Sequence, residues 1–191
     1  MTDTPFQPGG RSPAPAPLDL VQDFVNTEIP EWARDDIATP TELARWLVER
    51  DLLADGSHVD AEAFLRARAL RSCLRALALA NTTGTPPSPA DWQRTSDGLG
   101  SLCYRIEIGA GGEPLLRPEE AGAGGALAVL VAIALRAVGD GTWLRVKACR
   151  KASCGWVFYD HSRNRSSNWC SMTICGNREK TAGYRRRRAV S

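Results

Sequence analysis

Four of the six cysteines in the chain are grouped near its C-terminus as two pairs of equal spacing, Cys149-x4-Cys154 and Cys170-x4-Cys175, with fifteen residues between the pairs. Thiolates two to four residues apart let one turn present both sulfurs to one ion, and four of them complete the tetrahedral shell of a structural zinc. The spacing therefore predicts one zinc held by Cys149, Cys154, Cys170 and Cys175. In a reducing compartment clustered thiols favour a metal over two disulfides, with an iron–sulfur cluster or free thiols as the alternatives. His161 lies between the pairs and is an alternative ligand, disfavoured because four cysteines already complete the shell and it lies in a polar loop. No enzyme is expected for the same reason: a catalytic zinc keeps an open position, and no Gly-rich phosphate loop or Ser/His/Asp arrangement stands out. Asp19, Asp23, Asn26 and Thr27 are candidates to line a polar pocket, although such residues in a first helix more often serve as caps and internal hydrogen-bond partners.

Cations surround the cysteines. Residues 141–191 hold 12 Lys and Arg against two carboxylates, a net +10, whereas residues 1–140 hold 12 Arg, no Lys and 20 carboxylates, a net −8. A basic end of this kind suits a polyanion, while the acidic body has a different task. Arg163, Arg165, Arg178, Lys180 and the run Arg185, Arg186, Arg187, Arg188 are the expected nucleic-acid contacts, and on a helix Arg178, Thr181, Arg185 and Arg188 share one face. Zinc with four thiolates is a formal dianion, which leaves about +8, still attractive to DNA phosphates. The bland alternative is a solvated terminus, with some of these arginines bound to the acidic body.

The elements that position these groups follow from composition and periodicity. In 191 residues, 43% are hydrophobic and 24% charged, the balance of a soluble globular protein and not of a disordered chain. Residues 1–17 are Pro-rich without an apolar core; they are expected to be disordered and to lack a secretory signal. Residues 18–140 predict an α+β, predominantly helical domain with a short hairpin. Its helices start at Leu18, at Pro40 behind a Thr39/Glu42 capping box (running to about Leu52), at Asp60 (to about Asn81) and at Ser88. On the third, Phe64, Ala67, Leu70, Leu74 and Leu77 form the apolar stripe, and Arg68, Arg71 and Arg75 are assigned to the opposite, polar face.

Alternation from Leu102 to Ile108 and a return over Glu113–Arg117 predict the hairpin. Ala126–Val138, almost wholly apolar, predicts the most buried helix. The longest apolar run, Ala126–Leu135, is too short to cross a bilayer, so no membrane partner and a cytoplasmic location are expected. Cys73 and Cys103 are expected to be small buried hydrophobes. In residues 141–191, a strand over Trp143–Lys147, a cysteine knuckle, a strand over Gly155–Asp160 and a basic helix after Cys175 predict a small treble-clef-like finger. Having few apolar residues, it needs its metal or docking onto the body for stability, and loss of a ligand is expected to unfold it and leave residues 18–140 folded.

The string Cys170-Ser171-Met172-Thr173-Ile174-Cys175-Gly176-Asn177-Arg178, preceded by Cys149-x4-Cys154-Gly155-Trp156-Val157-Phe158 and by Ser162-Arg163-Asn164-Arg165, closely resembles the bacterial CGNR-type zinc finger. The Leu18–Thr27 stretch, ending Asp-Phe-Val-Asn-Thr, resembles the opening of the ABATE domain that precedes that finger. The resemblance implies a stress-related, DNA-binding transcription regulator whose N-terminal domain senses a signal or mediates assembly, with a small-molecule or protein ligand or a second copy of the chain as its partner. A zinc module for protein or RNA contacts, or a thiol-based redox sensor, is the alternative. At Ser166-Ser167-Asn168 the chain departs from the family's tendency to carry arginines, so phosphate contacts made there would be missing.

Overall fold

The structure, a computed structural model, describes residues 7–99, 102–179 and 181. Among these, five α-helices build the body: α1 (Leu18–Val25), α2 (Pro40–Val48), α3 (Ala61–Thr83), α4 (Pro89–Leu99) and α5 (Gly122–Gly139). Short strands pair in three separate antiparallel ladders: β1 (Glu28–Ile29) with β2 (Arg34–Asp35), β3 (Tyr104–Ile108) with β4 (Pro114–Pro118), and β5 (Val146–Ala148) with β6 (Val157–Tyr159). The class is thus α+β and predominantly helical, with the four-cysteine cluster at the C-terminal end.

Local chemistry sets the helix ends. The Glu42 amide donates to Thr39 Oγ1 at 3.2 Å and the Thr39 amide to Glu42 Oε2 at 2.9 Å, closing the capping box with Pro40 at the first helical position,. The helix stops at Val48, short of the expected Leu52. There the Leu52 amide returns to Leu47 O (3.0 Å) and Asp51 takes a left-handed conformation, φ 57°, the closure by which helices commonly end. Asp60 caps α3 through the Ala63 amide, 2.7 Å. α5 begins at Gly122, four residues before the apolar run, because Gly124 and Gly125 let Glu120 fold over the helix start. A Cβ at Gly124 would collide with the Glu120 carboxylate, and one at Gly125 with its carbonyl.

One core joins the elements. Leu127, Leu130 and Ala134 of α5 share a buried cluster with Phe24 of α1, Leu43 and Leu47 of α2, and Leu70 and Leu74 of α3. Val146, Ala148, Val157 and Tyr159 of the β5–β6 ladder belong to the same cluster. At 18 residues α5 exceeds the apolar run seen in the sequence and, by length and composition alone, could cross a membrane; half of it is buried inside the protein, as a core helix is. Leu130 is fully buried at its centre. An aspartate there would bury an unpaired carboxylate, so Leu130→Asp is expected to cost several kcal/mol and to leave the chain insoluble or without a cooperative melting transition; a soluble variant with the wild-type Tm would show that α5 is not the core.

Four expectations are corrected. From Gln7 onward the Pro-rich start is packed, not disordered: Arg11 donates to the carbonyls of Cys170 (2.7 Å) and Trp169 (3.0 Å), and the Ala14 amide donates to Gln22 Oε1 at 2.8 Å. Prolines with preset φ lose little entropy on docking. Arg71 does not face solvent but is fully buried, and Arg75 is largely so. Cys73 is buried as expected, but Cys103 is exposed. Thr142–Arg145 forms a 3-10 turn instead of a strand, where Asn81 Nδ2 donates to Trp143 O (2.8 Å) and Val146 O (2.9 Å).

Candidate metal centre

The β5–β6 pairing, which ends at Ala148↔Val157, brings the first cysteine pair into the connecting loop. There the Cys149 amide donates to Trp156 O (2.8 Å) and the Cys154 amide to Lys151 O (2.9 Å). Knuckle and hairpin are therefore one unit, not successive ones. The second pair brackets the start of a π-helical turn, Met172–Gly176, whose first amides are capped by Ser171: its side chain accepts from the Ile174 amide at 3.3 Å, and its carbonyl from the Cys175 and Gly176 amides at 3.0 Å. Cys175 thus lies within this turn, which runs directly into the helical residues 177–179. Gly176 allows tight closure, since a Cβ there would meet Met172 Sδ at 2.7 Å and the Trp169 ring at 3.2 Å. The Arg150 amide donates to Asn168 O at 2.9 Å, tying the two halves together.

The four sulfurs lie within 4.8 Å of one another, all buried and none in a disulfide. Cys154 and Cys170 are 3.7 Å apart and Cys170 and Cys175 3.6 Å; four thiolates at the Zn–S distance of about 2.3 Å would stand about 3.8 Å apart at tetrahedral corners. Ile29, Trp156, Phe158 and Trp169 pack around them and keep water out. Hydrogen bonds from Cys154 and Cys170 pull the Cys149 thiol far below its ordinary pKa, while the thiols of Cys154 and Cys170, both crowded by Cys149, are pushed up. Such a set cannot ionise together on its own; a divalent cation removes the conflict. The donor set, spacing and burial fit zinc, and the site is a structural one.

Beside the metal site stands a group that periodicity did not single out. Asp160, fully buried, accepts from Lys147 Nζ (3.1 Å), the Ser162 amide (3.0 Å), the Ser167 amide (2.9 Å) and Ser167 Oγ (2.9 Å). Burial raises its pKa, but these donors outweigh it and hold the carboxyl below its ordinary range. Lys147 Nζ also donates to the carbonyls of Arg165 and Ser167. The loop 160–167 is therefore fixed, and Ser167, at one of the positions where arginine was expected, serves to fix it. The available signal was one lysine and one aspartate on otherwise apolar strands.

The expected nucleic-acid residues divide. Arg163 and Arg165 are exposed on this loop. Arg178 is exposed but pairs with Glu31 of the body at 3.1 Å, a carboxylate that Lys151 also contacts. Lys180, Arg185, Arg186, Arg187 and Arg188 lie outside the described residues. His161 stays away from the metal, with Nε2 3.0 Å from Pro13 O and its ring on Tyr159.

Body and finger are joined through the motif at the end of α1. Asn26 clamps β6 in both directions, its Nδ2 donating to Val157 O and its Oδ1 accepting from the Val157 amide, each at 2.8 Å. Thr27 accepts from Arg71 at 3.2 Å. Asp23, Asn26 and Thr27 line a cleft of about 510 Å³ that is bounded also by β2, α2 and Trp156; Asp19 is not among its walls.

A helical α+β body closed onto a four-cysteine zinc site through one core defines a two-part zinc-finger protein. Residues 18–145 match the ABATE family, described as "Putative stress-induced transcription regulator", and residues 145–188 match the CGNR zinc finger. The chain belongs to the ABATE family and carries a CGNR zinc finger. No curated protein matches it.

Proposed function

We propose that the protein is a DNA-binding transcription regulator in which residues 141–191 contact DNA and residues 18–140 receive a signal or mediate assembly. The observation that carries this reading is the +10 charge of residues 141–191 set on a rigid metal site, with Arg163 and Arg165 exposed on the loop that Asp160 fixes. A fixed loop presents guanidinium groups to phosphates without paying for its own ordering. Arg178 and Lys151 are held by Glu31, so DNA phosphates compete with that carboxylate for them.

Anisotropy titration of labelled duplex DNA at several salt concentrations tests this reading. Wild type is expected to bind with a steep salt dependence, and simultaneous Arg185→Ala, Arg186→Ala, Arg187→Ala and Arg188→Ala replacement to weaken binding with zinc content unchanged. Each lost phosphate contact lowers the slope of log affinity against log salt by about one unit. An unchanged affinity and slope would mark the run as a solvated tail. Absence of duplex binding by wild type, with tight binding to single-stranded RNA or to a protein, would overturn the reading in favour of a structural module.

A further inference from the structure

We propose that the cleft between α1, β2 and α2 binds a small zwitterion of the α-amino-acid class, its ammonium on Asp23 and its carboxylate on Arg45, and that Asn26 and Trp156 pass its presence to the zinc finger. The proposal deepens, and rests on, the reading of residues 18–140 as the part that receives a signal.

The cleft is polar, and nearly all its charges are already committed. Arg34 makes a bidentate pair with Asp36, 2.7 and 2.6 Å. Asp35 receives both terminal nitrogens of Arg71, at 2.6 and 2.9 Å. Glu42 closes the capping box of α2. Arg50 stacks 4.1 Å from the Trp46 ring centre and lies 3.5 Å from Glu49. Two charges remain, the carboxylate of Asp23 and the guanidinium of Arg45, and neither side chain makes a hydrogen bond or ion pair among the described residues. Burial raises the Asp23 carboxyl to about 6, and the nearby charge of Arg50 only partly offsets this. A half-buried carboxylate without a donor is costly, and a ligand ammonium would supply the missing partner.

One uncommitted group of each sign in a single cavity calls for a ligand carrying both charges. A lone amine would leave Arg45 unused, and a lone acid would leave Asp23 without its donor. The volume of about 510 Å³ lies within the usual range for small-molecule sites, about 300–1,000 Å³, and accommodates an amino acid with water. The route to the finger is short. Asn26, in the cleft wall, holds Val157 of β6 by two hydrogen bonds, and Trp156, also in the wall, stands two residues from the zinc ligand Cys154.

The test is calorimetry and thermal melting of the full zinc-loaded chain, without DNA, against each standard L-α-amino acid, with propylamine and propionate as single-charge controls. At least one amino acid is expected to release or absorb heat and raise the Tm, with both controls about tenfold or more weaker. Asp23→Asn should reduce that affinity by about tenfold or more, and Arg45→Gln should weaken it, because each removes one charge partner. Neither replacement removes a hydrogen bond or ion pair among the described residues, so both variants should fold, Arg45→Gln melting near wild type and Asp23→Asn at or above it because the buried charge is gone. Exchange of the Val157 amide should slow on binding. Absence of binding by every amino acid, equal binding of a control, insensitivity to both variants, or an unchanged Val157 exchange rate would overturn the proposal. Because DNA is absent from the assay, failure here is distinct from failure of the DNA-binding reading.

Discussion

Replacing Cys170 by serine will abolish tight zinc binding and unfold the whole chain in one step, not the finger alone. Structural zinc supplies roughly 10–16 kcal/mol of apparent binding free energy, against a net stability of about 5–15 kcal/mol for a typical domain. That loss cannot stay local. Val146, Ala148, Val157 and Tyr159, which frame the cysteine knuckle, sit in the same core as Phe24, Leu74 and Leu130. Thr82 of α3 donates to Ala148 O at 2.7 Å and Arg75 to Gly155 O at 3.2 Å, so the helices also hold the ladder by hydrogen bonds. Metal analysis of wild type should find about one zinc per chain, and the variant about none. Limited proteolysis should then cut α3 and α5 of the variant as readily as the finger. Persistence of a protease-resistant body over residues 18–140 would restore the picture of a separable finger that sparse apolar content suggested.

Arg71→Ala is expected to lower stability by about 3–5 kcal/mol, the cost of leaving one member of a buried ion pair unpartnered. Arg71 is fully enclosed and binds both oxygens of Asp35, reaches Thr27 Oγ1, and has Nε 3.6 Å from Glu28. Neighbouring Arg75 donates to Glu28 Oε2 (2.6 Å), Val25 O and Glu28 O, so the two arginines pin the β1–β2 hairpin onto α3. Denaturant melts of the single variant measure the loss. A double replacement, Arg71→Met with Asp35→Leu, should recover much of it because no charge is then stranded. The pH dependence has a definite sign. Burial raises the Asp35 pKa, but the hydrogen bonds and charge of Arg71 outweigh it and lower it overall. A carboxyl depressed in the folded state contributes stability that is present above its unfolded value, about 3.9, and lost as pH falls through its folded value. Wild type should therefore lose stability in acid more steeply than Arg71→Met does. Equal stability of wild type and Arg71→Ala would show that the pair contributes nothing.

Local signals in the sequence were sufficient for the starts of α1 to α4 and for the metal, but not for α5, which begins four residues before its apolar run. Thr39, Glu42 and Asp60 cap the helices that follow within a few residues. The paired cysteines needed only two tight turns to meet. The finger's sparse apolar content pointed to a metal or to docking onto the body, but which body residues hold it, the partners of Arg71 and the docking of residues 7–17 were not legible in the same way. With 3.6 residues per turn Arg71 falls between Ala67 and Phe64, inside the apolar arc; its charge and not its place on the helix suggested a polar face, and its partner Asp35 lies 36 residues away in sequence. Arg11 likewise meets Cys170 across 159 residues, and Asn26 meets Val157 across 131. The Asp-Phe-Val-Asn-Thr string revealed a family resemblance but not the division of labour within it, with Asp23 facing the cleft, Asn26 clamping β6 and Thr27 receiving Arg71.

Features whose free energy comes from neighbours along the chain are readable from the order of its residues: caps, turn residues, apolar periodicity and the ligand pairs of one metal. Where each buried polar group finds its partner is a property of the folded chain alone. Burial without a partner is costly, so those groups accept only the arrangement that satisfies them all at once, and that arrangement exists only after distant segments have met.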